Sequence, residues 1–237
     1  MVLDQVHNLK EKDVITLDGP SGSGKSTVAK KLANILHYFY LDTGAMYRAL
    51  TYKAIQERLD LENEDVLVGL AQRTSIELES SSAGIRVLLD GVEVTQQIRT
   101  VDVTNSIFHI SEKPRVREMM VNKQRQIAKQ KNVVIEGRDT GTVVFPQAQY
   151  KFYIDADLIQ RARRRASELE QKGNILELDQ VMHQMNERDN RDKARSAGPL
   201  RKASDAVVID STYFSADEVV NQILLSINKT KERNGPS

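Results

Sequence analysis

A glycine-rich loop near the beginning of the chain restricts its fold and its chemistry more than any other segment. Residues 19–27 read Gly-Pro-Ser-Gly-Ser-Gly-Lys-Ser-Thr and match the phosphate-loop pattern G-x-x-x-x-G-K-[S/T] at every fixed position. An apolar run at 14–17 precedes the loop and a helix-patterned stretch follows it, which is the context that this motif needs. Because glycines let backbone N–H groups converge on an anion, and the helix N-terminus adds a positive field, the loop predicts a nucleoside triphosphate site.

Every residue of this loop is a candidate for contacting the triphosphate: Gly19, Pro20, Ser21, Gly22, Ser23, Gly24, Lys25, Ser26 and Thr27. Two of them have side chains with a defined task. Lys25 brings a mobile positive charge to the β- and γ-phosphates, and we expect it to be catalytic. The Ser26 hydroxyl is the expected protein ligand of a Mg²⁺ ion that accompanies ATP.

Composition limits the other chemistry. The 237 residues suffice for one α/β domain with an insertion, or for a domain and a half. The chain has no cysteine, which excludes disulfides, thiolate metal sites and cysteine nucleophiles. Its formal net charge of +1 gives no support for nucleic-acid binding. Residues 1–13 lack the apolar stretch of a secretory signal, and no apolar run is long enough to span a membrane, so we expect a cytoplasmic protein without membrane contact.

Basic residues are concentrated in two places. Four arginines, at 161 and 163–165, form the first cluster, and six basic residues between 188 and 202 form the second. These clusters are either solvated helix faces or anion-binding surfaces. We favour anion binding because a phosphate loop is already present and arginine suits bidentate phosphate contacts.

Strand and helix patterns alternate along the chain, which predicts an α/β fold with a parallel sheet core and helices on both faces. The predicted core strands are residues 14–17, 38–41, 133–135, 150–154 and 206–209, and the predicted helices are residues 25–36, 45–58, 114–130, 158–171, 177–189 and 219–227. Residues 74–95 alternate in hydropathy around an Asp90-Gly91 turn, which predicts a small inserted antiparallel sheet. Ligands of such folds bind beyond the carboxyl ends of the parallel strands.

Three further stretches are rich in polar residues and follow strand ends or lie in the second basic cluster. They are Leu-Asp-Thr-Gly-Ala-Met-Tyr-Arg at 41–48, Glu-Gly-Arg-Asp-Thr-Gly-Thr-Val-Val-Phe-Pro at 136–146 and Glu-Arg-Asp-Asn-Arg-Asp-Lys-Ala-Arg at 187–195. Together with the phosphate loop, they closely resemble the bacterial cytidylate kinases, members of the nucleoside monophosphate kinase family. The resemblance covers residues 14–227, and the first two stretches make it far more specific than the loop alone.

The resemblance implies one phosphate-loop kinase domain over residues 1–237. Its core would comprise residues 13–60, 130–160 and 200–228, with a monophosphate-binding insert at 61–130 and a short helical lid at 165–195. The implied reaction is Mg²⁺-dependent transfer of a phosphoryl group from ATP to CMP and dCMP, by direct in-line displacement, in pyrimidine metabolism. A monomer that binds no nucleic acid is the corresponding expectation.

The motif positions of the family also imply roles for single residues. The implied acceptor-binding residues are Thr43, Arg48, Arg117, Arg138, Asp139, Arg188, Asp192 and Arg195, and the implied further ATP-binding residues are Arg161 and Arg165. The implied catalytic set is Lys25, Arg138, Arg188 and Arg195. Within the acceptor site, Arg48 and Arg138 would grip the phosphate, Arg188 and Asp192 the ribose, and Thr43, Arg117 and Asp139 would lie near the base.

Several of these positions have structural alternatives. Arg48 and the arginines of the first cluster are also compatible with solvated helix faces. Arg138 and Asp139 fit a structural salt bridge after the third core strand. Asp192 fits an exposed acid that pairs with Arg188 one helical turn away.

One position departs from the family pattern. The family often has a serine that contacts cytosine nine residues before the equivalent of Arg117, and this chain has Phe108 there. Either Ser106 or Ser111 replaces that serine, or Phe108 packs on the base. Because the departure concerns base choice, the same reaction on UMP or another monophosphate stays open.

Two other classes of protein fit parts of the sequence. A nucleotide-driven switch or hydrolase shares the phosphate loop but usually carries an Asn-Lys-x-Asp motif, which this sequence lacks. A nucleic-acid-binding protein would use the basic segment 188–202, but the near-zero net charge and the lack of interleaved aromatic residues disfavour it.

Overall fold

A parallel sheet of five strands forms the centre of the fold. The computed structural model describes residues 12–81, 84–171 and 173–234. The prediction that residues 1–13 contain no secretory signal therefore concerns a segment that lies mostly outside the described residues. The strands are β1 (Val14–Asp18), β2 (Phe39–Asp42), β3 (Ile76–Ser81), β4 (Gly84–Leu89), β5 (Val92–Glu93), β6 (Val133–Gly137), β7 (Tyr150–Asp155) and β8 (Val207–Asp210). The helices are α1 (Lys25–Leu36), α2 (Thr43–Gln56), α3 (Glu64–Arg73), α4 (Val101–Ser111), α5 (Pro114–Ala128), α6 (Leu158–Glu170), α7 (Leu178–Ala194) and α8 (Ala216–Asn234).

The parallel sheet has the strand order β2–β6–β1–β7–β8, with β1 in the middle. Every residue of β6 is buried, and Val133, Val134 and Ile135 form a continuous apolar run because both faces of the strand are covered. This arrangement confirms the predicted α/β fold. Since β2, β6 and β1 are parallel neighbours, their carboxyl ends lie side by side at one edge of the sheet. No helix in the described part of the chain combines the length and the apolar character that crossing a membrane requires.

The chain between α2 and β6 contains the predicted antiparallel sheet, formed by β3, β4 and β5. Its last turn is Asp90-Gly91, with φ values of 50° and 81°, so the predicted turn is confirmed. Two helices of this region, α3 and α4, are absent from the sequence prediction. The Asn63 side chain caps α3 by accepting hydrogen bonds from the Asp65 and Val66 N–H groups. α4 is rich in β-branched residues, which weaken a helical signal.

Two helix boundaries differ from the prediction and shape the site. α2 begins at Thr43 because the Asp42 side chain accepts a hydrogen bond from the Ala45 N–H at 2.8 Å and caps the helix. α7 continues to Ala194, past the predicted end at 189. The motif at 187–195 is therefore almost wholly helical, and its side chains follow helical spacing.

Candidate active site

The phosphate loop joins β1 to α1 and has a backbone that its glycines permit. Gly22 and Gly24 have φ values of 72° and 86°, which L side chains rarely adopt. A Cβ atom added at Gly19 would collide with the carbonyl oxygen of Ile154 in β7. α1 begins at Lys25, so the unpaired N–H groups of its first turn lie next to the loop. The loop therefore has the shape and the polarity that an anion requires.

The Lys25 side chain folds back over the loop. Its ammonium group donates hydrogen bonds to the Pro20 carbonyl oxygen at 2.5 Å and to the Ser23 hydroxyl oxygen at 3.3 Å. Burial, followed by the charge of Arg138, lowers the pKa of Lys25 to about 7. A polyphosphate beside Lys25 would raise this pKa again because negative charge stabilises the ammonium form.

A buried carboxylate at the end of β6 contacts the loop. One oxygen of Glu136 accepts a hydrogen bond from the Ser26 hydroxyl at 2.9 Å, and the other accepts from the Tyr40 hydroxyl. Burial, followed by the charge of Asp42, raises the pKa of Glu136. The Thr43 hydroxyl donates to the Glu136 carbonyl oxygen at 2.8 Å. Glu136 was not among the predicted site residues, and its place at a core strand end is the signal that could have identified it.

Two arginines meet one buried carboxylate of α7. Asp192 is 3% exposed and accepts hydrogen bonds from Arg138 Nε at 2.7 Å and from Arg195 Nη2. Burial opposes the ionisation of Asp192, but the charges of Arg138, Arg195 and Arg188 hold its pKa below the usual range. Asp192 is therefore not an exposed acid, and Arg138 pairs with it rather than with the adjacent Asp139.

This cluster contains more arginines than Asp192 can pair. Burial, followed by the charge of Arg138, lowers the pKa of Arg188 to about 9, and the charge of Arg48 acts in the same direction. Among the described residues, the buried Nε atoms of Arg48 and Arg195 have no hydrogen-bond partner. Guanidinium groups that are close together, desolvated and incompletely paired favour an anionic ligand.

Two of the three residues predicted to lie near the base form a second buried pair. Arg117 of α5 donates to Asp139 at 2.5 Å and to the Ser111 carbonyl oxygen at 3.0 Å, and its guanidinium lies 5.4 Å from the centre of the Tyr47 ring. Burial raises the pKa of Asp139, although Arg117 opposes this shift. The backbone at Gly198, with φ of 60°, approaches the pair so closely that an added Cβ atom would collide with both side chains.

α4 and α7 face each other through two contacts. The guanidinium of Arg191 lies 5.0 Å from the centre of the Phe108 ring, and the Ser111 hydroxyl accepts a hydrogen bond from Arg195 Nη2 at 3.1 Å. Positions 108 and 111 are one turn apart on α4, and Arg191 lies in the last turn of α7, which Arg195 directly follows. Ser111 therefore reaches the site, which favours it over Ser106 as the replacement for the family's serine. Phe108 contacts a basic side chain of the opposite helix.

The two arginines of α6 that were predicted to reach ATP have different surroundings. Arg161 is buried, and its Nη1 donates to the Ser21 carbonyl oxygen at 2.8 Å and to Asp189 at 2.6 Å. It therefore contacts the phosphate loop and is not part of a solvated face. Arg165 is half-buried and pairs with Glu168 at 3.1 Å.

A cavity of about 250 Å³ opens beside the phosphate loop. Its lining includes Gly24 and Thr27 of the loop region, Arg164 of α6, and Phe214 between β8 and α8. Arg164 donates hydrogen bonds to the Ser211 carbonyl oxygen at 2.5 Å and thereby fixes one wall. No sequence motif predicts this cavity, because its walls come from segments that are distant in the chain. An apolar wall next to a phosphate loop suits the base of a nucleotide.

Comparisons with known proteins agree with this geometry. The family model described as Cytidylate kinase matches residues 15–229. A cytidylate kinase of Desulforamulus reducens is 47% identical over 223 residues, which cover 94% of this chain and 100% of that protein. A cytidylate kinase of Caldanaerobacter subterraneus subsp. tengcongensis is 46% identical over 215 residues, which cover 91% of this chain and 94% of that protein.

Among solved structures, an uncharacterized protein from Eubacterium ventriosum is similar, with a TM-score of 0.50 and 16% identity, and the alignment covers 93% of this chain and 99% of that one. This likeness concerns the fold alone. The family match, by contrast, spans the phosphate loop, the arginine cluster and the Arg117–Asp139 pair. The resemblance read from the motifs is thereby confirmed: the chain belongs to the cytidylate kinase family and is a nucleoside monophosphate kinase.

Proposed function

We propose that this enzyme transfers the γ-phosphoryl group of ATP to CMP and dCMP, forming CDP and dCDP, in pyrimidine nucleotide metabolism. The incompletely paired arginine cluster next to the phosphate loop carries the proposal. Such a cluster suits an acceptor that is itself a phosphate, whereas a neutral alcohol would not offset the repulsion among the guanidinium groups. The names of the relatives, cytidylate kinases, support CMP as that acceptor.

ATP would bind along residues 19–27. The loop N–H groups and Lys25 would hold its β- and γ-phosphates. Arg161 would fix the conformation of the loop, because it is hydrogen-bonded to the Ser21 carbonyl oxygen. Arg165 would add positive charge at the edge of the ATP site. The adenine would enter the cavity lined by Thr27, Arg164 and Phe214.

The acceptor phosphate would bind to Arg48, Arg138 and Arg195. Asp192, kept ionised by its arginine neighbours, would accept hydrogen bonds from the ribose. CMP offers two hydroxyl groups to this carboxylate and dCMP offers one, so both substrates keep a contact.

Thr43 and the Arg117–Asp139 pair would contact the base. The amino group of cytosine is a hydrogen-bond donor at the position where uracil has an acceptor oxygen. A carboxylate such as Asp139 only accepts when ionised, so it would favour cytosine over uracil. The Ser111 hydroxyl, which accepts a hydrogen bond from Arg195 Nη2 at 3.1 Å, would add a second polar contact to the base.

The chemistry needs no general base because the attacking oxygen of the acceptor phosphate is already anionic. This oxygen forms a bond to the γ-phosphorus while the bond from that phosphorus to the β,γ-bridging oxygen breaks, and ADP leaves with the electron pair. Catalysis therefore depends on alignment of the two phosphates and on neutralisation of charge. Lys25, Arg138, Arg188 and Arg195 supply that positive charge.

The residues around Ser26 fit a Mg²⁺ ion. Its hydroxyl and the Glu136 carboxylate are hydrogen-bonded at 2.9 Å and are oxygen donors of the kind that Mg²⁺ prefers. Residues 12–81, 84–171 and 173–234 contain no group of three acidic, histidine or cysteine side chains placed to hold a metal. Ser26 and Glu136 would therefore be the two protein groups that hold the ion. When bound with ATP, Mg²⁺ would withdraw negative charge from the phosphoryl group that is transferred.

The proposal includes a core at 13–60, 130–160 and 200–228, an insert at 61–130 and a lid at 165–195. α4 of the insert and α7 of the lid touch through Phe108 and Arg191, so both would close on the substrates and exclude water. We also expect a cytoplasmic monomer that acts on small nucleotides and not on nucleic acid. Light scattering tests the oligomeric state, and titration with labelled single-stranded RNA tests the last point.

An acceptor panel tests the proposed reaction. ADP release is measured with Mg-ATP and CMP, dCMP, UMP, AMP, GMP or no acceptor. We expect fast turnover with CMP and dCMP and a flat blank. ADP release that is independent of the acceptor would mean a hydrolase or switch. Turnover mainly with another base would mean that the base contacts proposed for Arg117 and Asp139 are wrong.

ATP with a chiral γ-phosphoryl group tests the in-line step. In-line transfer inverts the configuration at phosphorus, whereas retention would indicate a covalent intermediate.

A further inference from the structure

α7 carries two buried carboxylates that contact different parts of the active site. Asp189 and Asp192 are each 3% exposed and lie one turn apart, so they occupy the same side of the helix. Asp192 binds Arg138 and Arg195 of the acceptor site. Asp189 contacts the phosphate loop, and the mechanism above assigns it no role.

Asp189 and Arg161 together bind both backbone groups of Ser21, its N–H and its carbonyl oxygen. One oxygen of Asp189 accepts a hydrogen bond from the Ser21 N–H at 3.0 Å, and the other accepts from Arg161 Nη1 at 2.6 Å. The same Nη1 donates to the Ser21 carbonyl oxygen at 2.8 Å, and Arg161 Nε donates to the Ala156 carbonyl oxygen at 3.0 Å. The N–H and the C=O of Ser21 are therefore both fixed by side chains from outside the loop.

α7 also packs directly on the next residue of the loop. A Cβ atom added at Gly22 would approach the Met185 methyl carbon to 2.7 Å and the Arg161 carbonyl oxygen to 3.1 Å. Met185 lies one turn before Asp189 on the same helix. The loop thus meets α7 through an apolar contact and a charged contact on adjacent turns.

We propose that Asp189 is a positioning residue that seats α7 on the phosphate loop and thereby couples the ATP site to the CMP site. Arg188 and Asp192 belong to the same helix, so their position relative to the loop depends on this attachment. When a triphosphate fixes the loop, the bond between Asp189 and the loop fixes the position of α7. The position of Asp192, and of the acceptor arginines that Asp192 binds, is then fixed as well. The inference rests on the proposed function, because it takes the loop as the ATP site and the arginine cluster as the CMP site.

A purely structural ion pair would have a different signature. Replacing a buried ion pair by apolar side chains of similar size is often neutral for stability, whereas removing one partner leaves a buried charge. If the Asp189–Arg161 pair served stability alone, its loss would lower the free energy of unfolding and leave the mutual influence of the two substrates intact. Coupling between two sites is reciprocal and can be measured directly as a ratio of dissociation constants.

Calorimetric titration of the full-length protein tests the proposal. The dissociation constant of a non-hydrolysable Mg-ATP analogue is measured with and without saturating CMP, and that of CMP with and without the analogue. We expect each ligand to tighten the other by about fivefold or more in the unmodified protein. Asp189→Asn replaces one acceptor oxygen by an NH2 donor, so its side chain cannot use two oxygens to accept from Arg161 and Ser21. The variant should reduce the coupling factor to less than about twofold. It should also lower kcat by about tenfold or more, since small misplacements of the reacting phosphates are costly.

Two further variants keep the result interpretable. Asp179→Asn removes one acidic charge from an exposed position of the same helix and should leave the coupling unchanged. The double variant Asp189→Leu with Arg161→Met leaves no unpaired buried charge, and it should lose the coupling even if Asp189→Asn does not fold.

A folded Asp189 variant with the coupling of the unmodified protein would overturn the proposal, as would an unmodified protein in which neither substrate affects the other. A separate measurement, CDP formation by the unmodified protein, tests the proposed function. If CDP forms at a normal rate and the coupling is insensitive to Asp189, the positioning role alone is wrong. If the unmodified protein neither binds the analogue nor forms CDP, the proposed function and this inference fail together.

Discussion

The Arg191 guanidinium of α7 lies 5.0 Å from the centre of the Phe108 ring of α4. At the end of both helices, Arg195, which directly follows α7, donates to Ser111, the last residue of α4. The aromatic ring therefore contacts the helix that carries Arg188 and Asp192, while a serine hydroxyl stays available nearby. We interpret Phe108 as a contact that helps to hold α7 against α4 and Ser111 as the polar group of the acceptor site.

Phe108→Leu keeps an apolar side chain but removes the ring. A partly exposed cation–π contact contributes about 0.5–1 kcal/mol, so the KM for CMP should rise by about two- to fivefold while the KM for ATP stays nearly constant. Phe108→Tyr keeps the ring and is the matched control, with a KM for CMP close to that of the unmodified enzyme. Steady-state kinetics check both variants, and equal values for the leucine and tyrosine variants would contradict the interpretation.

Arg195→Ala removes a positively charged side chain that pairs with Asp192 and that we propose to bind the acceptor phosphate. Because the interaction strengthens as charge develops in the transition state, kcat should fall by about 10²- to 10³-fold. The dissociation constant of Mg-ATP should change by less than about threefold, since Arg195 hydrogen-bonds to Asp192 and Ser111 on the acceptor side. Single-turnover kinetics and equilibrium titration separate the two effects. Arg201→Ala, at an exposed basic position, is the control, and parallel losses of turnover and ATP affinity would argue against the assigned role.

Lys25 makes ATP binding sensitive to pH. In the free protein, burial and the charge of Arg138 lower its pKa to about 7, and bound phosphates raise the pKa again. Binding at pH 8 should therefore take up protons, and the affinity for ATP should fall as the pH rises above about 7. Calorimetry in two buffers of different ionisation enthalpy measures the proton uptake. Lys25→Arg keeps its charge throughout this range, so a proton uptake of the same size in that variant would rule out Lys25 as its source.

Gly198→Ala should disturb the base-binding pair. The added Cβ atom would collide with Arg117 and Asp139, and the residue already has φ of 60°. Overpacking of this kind costs about 1–3 kcal/mol, so urea unfolding should show a loss of that size together with a KM for CMP raised by about tenfold or more. Gly91→Ala is the matched control because Gly91 has φ of 81° but an added Cβ atom would meet open space. It should lower stability without changing the KM for CMP, and similar kinetics for the two variants would show that Gly198 has no influence on the base site.

Local signals explain why much of the fold and part of the site could be predicted. The phosphate loop is defined by consecutive residues, and the core strands by short apolar runs between turn residues. Thr43 and Arg138 follow strand ends, so the parallel topology alone brings them to one edge of the sheet.

The remaining features depend on contacts between distant segments. Ser21 and Asp189 are 168 positions apart, and neither residue type marks such a pairing in advance. The cavity wall at Phe214 and the approach of Gly198 to Arg117 likewise depend on how loops pack in three dimensions. α4 was missed because its β-branched residues weaken the helical pattern and packing compensates for this weakness.

The fate of the γ-phosphoryl group is the most direct test of the central claim, that the loop holds ATP and the arginine cluster presents CMP to it. Mg-ATP labelled with ¹⁸O in the γ-phosphoryl group is incubated with CMP and the protein, and the products are resolved by mass spectrometry. We predict that the label appears in the terminal phosphate of CDP, with one CDP formed for each ADP. Label found in inorganic phosphate, without labelled CDP, would contradict the claim and show that water, not CMP, receives the phosphoryl group.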